Sequence, residues 1–139
     1  MTMKQFHEEP FAFNTHSHVY GSAKPSFIKA DDGNNLAYYH IATSTNPKAI
    51  LVFIHGAGAH CYMSDYQQIG VKLIKSGIDC YFIDIRGHGN SDGIRGATPS
   101  KERVWMDIKY LITFIKSKCK DVPLYLAGHS AGAGTVINY

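Results

Sequence analysis

Gly128-His129-Ser130-Ala131-Gly132 is the stretch of this 139-residue chain whose residue types and spacing best suit chemistry. It follows the apolar run Leu124-Tyr125-Leu126-Ala127, so the expected local structure is a buried strand turning sharply into a helix, with Ser130 at the corner. Residues two positions either side crowd the side chain at such a corner, and Gly128 and Gly132 remove the Cβ atoms that would clash there. The Ser130 hydroxyl would then stand at the carboxyl edge of a sheet as a nucleophile. The N–H of Ala131, opening the next helix, is an expected donor to a developing oxyanion. The pentapeptide alone also reads as a glycine-rich turn with an incidental serine. The strand before it and two upstream loops favour the nucleophile.

The first of those loops, His55-Gly56-Ala57-Gly58-Ala59-His60, follows the apolar run 49–54. Its glycines let the backbone pass close to a bound group, and the Ala57 N–H is the expected second oxyanion donor. The spacing is neither G-x-G-x-x-G nor G-x-x-x-x-G-K-[ST], which argues against nucleotide binding. His55 reads as a ring that braces the loop. The second loop is Asp84-Ile85-Arg86-Gly87-His88-Gly89-Asn90-Ser91. Here Asp84 and Arg86 are expected to pair across a tight glycine turn, Ser91 to complete local hydrogen bonds, and His88 to act as a strut.

At this order and spacing, Gly-Ala-Gly-Ala-His, Arg-Gly-His-Gly-x-Ser and Gly-His-Ser-x-Gly together resemble the α/β-hydrolase superfamily, over roughly residues 27–139. Within it the chain is most similar to the monoacylglycerol lipase and lysophospholipase branch. The resemblance implies a serine hydrolase of carboxylic esters, with an acyl-enzyme on Ser130 and oxyanion N–H groups from Ala57 and Ala131. His55, Gly56, Gly58, Gly128, His129 and Gly132 would form the supporting loops. It implies a small-molecule acyl ester or lipid as substrate, and neither a metal nor an organic cofactor. The branch often carries Met and a second Gly after the serine. Here Ala131-Gly132-Ala133-Gly134 stand instead, which spares the backbone donor and leaves substrate preference open.

In this fold the acid and the base follow the serine in sequence. All eight histidines of this chain precede Ser130, and no Asp, Glu or His follows it. The expected organisation is therefore an irregular N-terminal arm over residues 1–25, then the N-terminal half of an α/β-hydrolase domain over residues 26–139. The other half would supply Asp and His, and the chain as given is expected to be an incomplete, inactive fragment. His55, His60 and His88 share the sheet edge and are the groups within the chain that could stand in as base. Two alternatives remain: a peptide- or amide-cleaving hydrolase of the same fold, and a truncated binding module without catalysis.

The positioning elements follow from hydrophobic period. Residues 27–30 and 36–41 read as a hairpin around Gly33. The apolar run 49–54 reads as a parallel strand covered on both faces. Tyr62, Tyr66, Ile69 and Leu73 recur at helical spacing, and Gly77 is placed to end that helix. Residues 78–83 read as a strand. Ser100 is a good N-cap for a helix whose stripe is Val104, Ile108, Leu111, Ile112 and Ile115, with Trp105 adjoining the core. The alternation of strand and helix means a mostly parallel sheet with helices on both faces. The strand order that the resemblance implies would leave strand 124–127 as an uncovered apolar edge.

Composition sets outer bounds. A net charge of +3, from 14 Lys and Arg against 11 Asp and Glu, is scattered along the chain. Lys116, Lys118 and Lys120 suit a solvated helix end, not a nucleic-acid patch. Cys61, Cys80 and Cys119 are odd in number and lack C-x-x-C spacing, which argues against a disulfide framework and a zinc site. His7, His16 and His18 read as surface residues. With no signal peptide and no apolar run of the ~20 residues that span a bilayer, a cytoplasmic protein is expected, with peripheral membrane contact left open.

Overall fold

The computed structural model describes residues 24–43 and 46–139. Most of the expected N-terminal arm, with His7, His16 and His18, lies outside the described residues. The elements are β1 (Ser26–Lys29), β2 (Asn35–Ile41), β3 (Ala49–Ile54), α1 (Ser64–Ile74), β4 (Ile78–Ile83), α2 (Lys101–Lys118), β5 (Leu124–Gly128) and α3 (Ala131–Ile137). They build one five-stranded sheet in the order β1-β2-β4-β3-β5. β3 lies parallel to both β4 and β5, while β1–β2 and β2–β4 are antiparallel pairs. The expected parallel sheet is thus its β4-β3-β5 portion, and the hairpin extends it as an antiparallel flank. Gly33, at φ 85°, takes the left-handed position of the hairpin turn.

Alternation along the strands sorts side chains onto two faces. Ile50, Val52 and Ile54 of β3, Tyr81 and Ile83 of β4, and Leu36 and Tyr38 of β2 join Val104, Ile108, Leu111 and Ile115 of α2 in one core. Val136 of α3 packs against the same core. Phe53, Cys80, Phe82 and Tyr39 point the other way and meet Tyr66 of α1. Helices therefore cover both faces, which is why β3 and β4 carry almost unbroken apolar sequence. Tyr62 precedes α1, with its ring 5.7 Å from that of Tyr39. Ser100 caps α2, its side chain accepting the Arg103 N–H. All three cysteines are free. No helix among the described residues is long and apolar enough to cross a membrane.

The stripe of α2 carries one charged residue at its buried face, Asp107, 3% exposed. Arg86, also 3% exposed, donates to it twice, through Nε and Nη2 at 2.8 Å each. The other edge of the guanidinium donates to Asp32 in the hairpin turn at 2.6 Å. This corrects the expected Asp84–Arg86 pair. The two side chains leave the chain on opposite sides of the sheet edge: Arg86 reaches α2 and the hairpin, while Asp84 reaches the loop before α1.

Arg86 holds the carboxyl of Asp32 down at about 2, below its ordinary 3.8. A group depressed in the folded state adds stability above its unfolded value, and that stability drains as pH falls toward the folded value. The wild-type chain is therefore expected to lose stability between about pH 4 and pH 2 more steeply than Asp32→Asn. Urea midpoints across that range check this, and parallel curves would contradict it.

Candidate active site

β5 ends at Gly128 and α3 begins at Ala131, so the chain must reverse within His129 and Ser130. It does so by placing Ser130 at φ 52°, ψ −117°, and Ser130 is the one non-glycine at positive φ among the described residues. Such a conformation is held only where its surroundings over-determine it. Here the surroundings are backbone. The His129 N–H donates to the Ile54 carbonyl at 3.1 Å, and the Gly132 N–H donates back to the His129 carbonyl at 2.9 Å. A Cβ on Gly128 would sit 2.3 Å from the Gly132 carbonyl carbon, and one on Gly132 would sit 2.2 Å from the Ile54 oxygen. Both glycines are therefore required by contact with main chain. The Ser130 side chain is exposed at the corner.

β3 delivers the second loop. His55 is fully buried at its start. Its Nδ1–H donates to the Gly56 carbonyl at 2.7 Å, and its Nε2 accepts the Ile85 N–H at 2.9 Å. Both ring nitrogens are spent on bracing, and burial pulls the imidazole below its ordinary pKa, against the raising effects of the Gly56 carbonyl and of Asp84. His55 thus stays a neutral strut, as its sequence context suggests. Ala57 and Gly58 are exposed at the loop tip.

Two residues tie these loops together. The hydroxyl of Tyr66 accepts the Gly56 N–H at 3.3 Å and shares a hydrogen bond with Nδ1 of His129 at 2.9 Å. It therefore links the loop after β3 to the residue beside Ser130. Asp84, fully buried, accepts the N–H of Cys61 at 2.6 Å and that of Asn90 at 2.9 Å. Ser91 completes the seam, accepting the Ala37 N–H and donating to the Asp84 carbonyl. Neither bridge was visible in sequence. Tyr66 is disguised as an apolar member of a helical stripe, and Asp84 has a nearer apparent partner in Arg86.

The Tyr66 bridge has a measurable consequence. Tyr66→Phe keeps the ring and removes the hydroxyl, leaving a buried N–H on Gly56 unpaired. The expected loss is about 1–3 kcal/mol in urea unfolding, with faster hydrogen exchange at Gly56 and His129. Unchanged exchange at both amides would mean that the hydroxyl holds neither loop.

A cavity of about 240 Å³ lies at this edge, and Ala57 and Ala131, the expected oxyanion donors, both line it. His55, His88, Thr98 and Val104 are among its other walls. A larger groove of about 540 Å³ shares Thr98, Val104, Ala131 and Thr135 with it and runs to Trp105. Trp105 is half-buried there, so it is partly groove wall and not simply core. No group of His, Cys, Asp and Glu suited to a metal ion occurs among the described residues.

Ser130 thus stands strained at a strand–helix corner, wedged by two glycines. Residues 45–139 match the family model described as serine aminopeptidase, S33. The chain belongs to this α/β-hydrolase family. Relatives in the same superfamily include mouse monoglyceride lipase, 31% identical over 113 residues, which are 81% of this chain and 36% of that protein. Mouse lysophosphatidylserine lipase ABHD12 is 32% identical over 111 residues, 79% of this chain and 26% of the lipase. The chain thus spans well under half the length of these relatives. Among solved structures, the esterase Est1E of Butyrivibrio proteoclasticus, with ferulic acid bound, superposes with a TM-score of 0.71 at 27% identity. That match covers 81% of this chain and 45% of the esterase. The five strands and three helices are accordingly part of an α/β-hydrolase fold, and its homologues are lipases and esterases.

Proposed function

We propose that this chain carries the nucleophile and the oxyanion donors of a serine hydrolase acting on lipid esters of the monoacylglycerol or lysophospholipid type. The observation that carries the reading is Ser130 at positive φ, on a corner next to a cavity bounded by Ala57 and Ala131. Ser130 Oγ would attack the acyl carbonyl while a base takes its proton. The carbonyl electrons move onto oxygen, and the N–H groups of Ala57 and Ala131 receive that charge. Collapse expels the alcohol, which takes up the proton, and water then releases the fatty acid from Ser130. The lipases among the relatives support the lipid ester. The aminopeptidase in the family description keeps amide cleavage as the second reading.

The same reading makes residues 26–139 the N-terminal half of the hydrolase domain and assigns the Asp and His to residues outside these 139. In support, both nitrogens of His55 are committed and Nδ1 of His129 is held by Tyr66. The short span relative to the lipases agrees with it. Three free cysteines accord with a cytoplasmic protein.

Intact-mass detection of a fluorophosphonate adduct, beside Ser130→Ala, is the test. The 139-residue chain alone should label at least about a hundredfold more slowly than a complete hydrolase, since an unassisted serine is a poor nucleophile. Labelling should become fast, and stay absent in Ser130→Ala, once the acid and base are supplied. Fast labelling of the isolated chain would overturn the assignment of the base to other residues. Labelling that survives Ser130→Ala would overturn the nucleophile.

A further inference from the structure

His88 stands in the wall of the cavity beside Ala57 and Ala131, and no step above uses it. Its ring is 5.4 Å from that of His55, but the two differ in how their nitrogens are engaged. Nδ1 of His88 lies 3.1 Å from the carbonyl oxygen of Arg86. A carbonyl can only accept, so that contact puts the proton on Nδ1 and makes Nε2 of the neutral ring an acceptor. Nε2 has no hydrogen-bond partner among the described residues. His88 is half-buried and its Nε2 is reached by solvent at the cavity wall, so a ligand that fills the cavity must replace the water it displaces from this acceptor.

The loop that aims this ring is rigid. Arg86 is tied by Asp107 and Asp32, the Asn90 N–H by Asp84, and the Asn90 side chain donates to the Tyr39 hydroxyl at 2.6 Å. Gly87 and Gly89 on either side of the ring are at positive φ, and an added Cβ would meet Ile94 O at 2.3 Å or Asp84 Oδ2 at 2.1 Å. A fixed loop that presents one unspent acceptor to a cavity fits ligand selection better than a strut. The expected oxyanion donors Ala57 and Ala131 line this cavity together with His88.

We propose that His88 is a specificity-determining residue, whose Nε2 accepts a hydrogen bond from a free hydroxyl on the alcohol portion of the substrate. The inference rests on the ester-hydrolase reading. An unpaired acceptor discriminates by what it lacks: a ligand without a hydroxyl leaves Nε2 desolvated and unpaired. Acyl chains of common lipids carry no hydroxyl, whereas glycerol esters carry free ones beside the scissile bond. Within that reading, His88 supplies a physical reason for the site to favour esters of polyols over esters of simple alkanols.

The test uses ligands that cannot be hydrolysed. 1-O-Hexylglycerol and its dimethyl ether are titrated into the 139-residue chain, and imidazole ¹⁵N resonances are followed. His88 is expected in the Nδ1–H form, with its Nε2 resonance displaced by hexylglycerol. The dimethyl ether should bind about fivefold more weakly, the factor that one net hydrogen bond gives. His88→Phe should erase the difference between the two ligands, and His88→Gln, which retains an acceptor, should keep it and show that the loop still folds. Equal affinities for the two ethers, no displacement by either, or an Nε2–H ring would overturn the proposal. Fluorophosphonate labelling of Ser130 in the complete hydrolase reads the other question. Labelling with an indifferent His88 sinks this assignment alone. Hydroxyl selectivity without labelling upholds the His88 site and counts against the hydrolase.

Discussion

Gly132→Ala is expected to cost about 3 kcal/mol, the upper end of an overpacking penalty, because the obstacle is main chain and cannot swing aside. The new Cβ would lie 2.2 Å from Ile54 O and 2.6 Å from His55 O. Relief requires α3 to lift away from the end of β3, which would pull apart the hydrogen bond from the His129 N–H to Ile54 O. The corner that holds Ser130 at positive φ would relax with it, so fluorophosphonate labelling in a complete hydrolase should fall along with stability. Gly134→Ala is the control. An added Cβ there meets nothing within 4 Å, and the position is inside α3, so alanine should stabilise by about 0.5–1 kcal/mol. Urea unfolding of the two variants should therefore move in opposite directions. A Gly132→Ala variant as stable as wild type would mean that the β3–α3 approach is looser than described.

The second large effect is expected at Asp107. Asp107→Ala leaves the buried guanidinium of Arg86 with Asp32 alone, in the exposed hairpin turn. Removing one partner of a buried pair typically costs about 3–5 kcal/mol, a large part of the 5–15 kcal/mol that holds a domain together. Arg86→Leu should be similarly damaging, since Asp107 then keeps only Arg103 near it. The double variant Arg86→Leu/Asp107→Leu should be less destabilised than either single change, because neither member of the pair is left charged without the other, and Arg103 keeps Asp31 at 2.7 Å. Thermal unfolding of the three variants decides this. Additive losses would show that the pair contributes by packing and not by charge compensation.

Part of the corner was legible because one of its causes is local: Gly128 meets the main chain of Gly132, four residues on. The contact that makes Gly132 obligatory lies in β3, at Ile54 O and His55 O, and the spacing does not show it. The unbroken apolar runs of β3 and β4 likewise announce strands covered on both faces. What stayed hidden depends on three-dimensional neighbours. Tyr66 sits at a correct apolar position of α1, and nothing in its period reveals that its hydroxyl reaches past the helix to Gly56 and His129. Arg86 was given to Asp84 because they are two residues apart, but the chain turns between them. The sequence did hold a usable signal. Asp107 stands one residue before Ile108, toward the buried side of the stripe, and a carboxylate there requires a cation from elsewhere. Arg86 was the candidate, and α2 its destination.

The order of strands also sets a schedule. β3 lies between β4 and β5, both of which leave the ribosome after it. Ile54 can give its carbonyl to the His129 N–H only once β5 has been made and has docked beside it. Until then no force holds Ser130 in its left-handed conformation, and the loop after β3 has no His129 to receive the Tyr66 hydroxyl. The nucleophile corner therefore forms only after β5 has docked beside β3. A chain whose β5 has been made but has not docked would present a relaxed, ordinary serine to the cell's esters, and would acquire its strained posture only on docking.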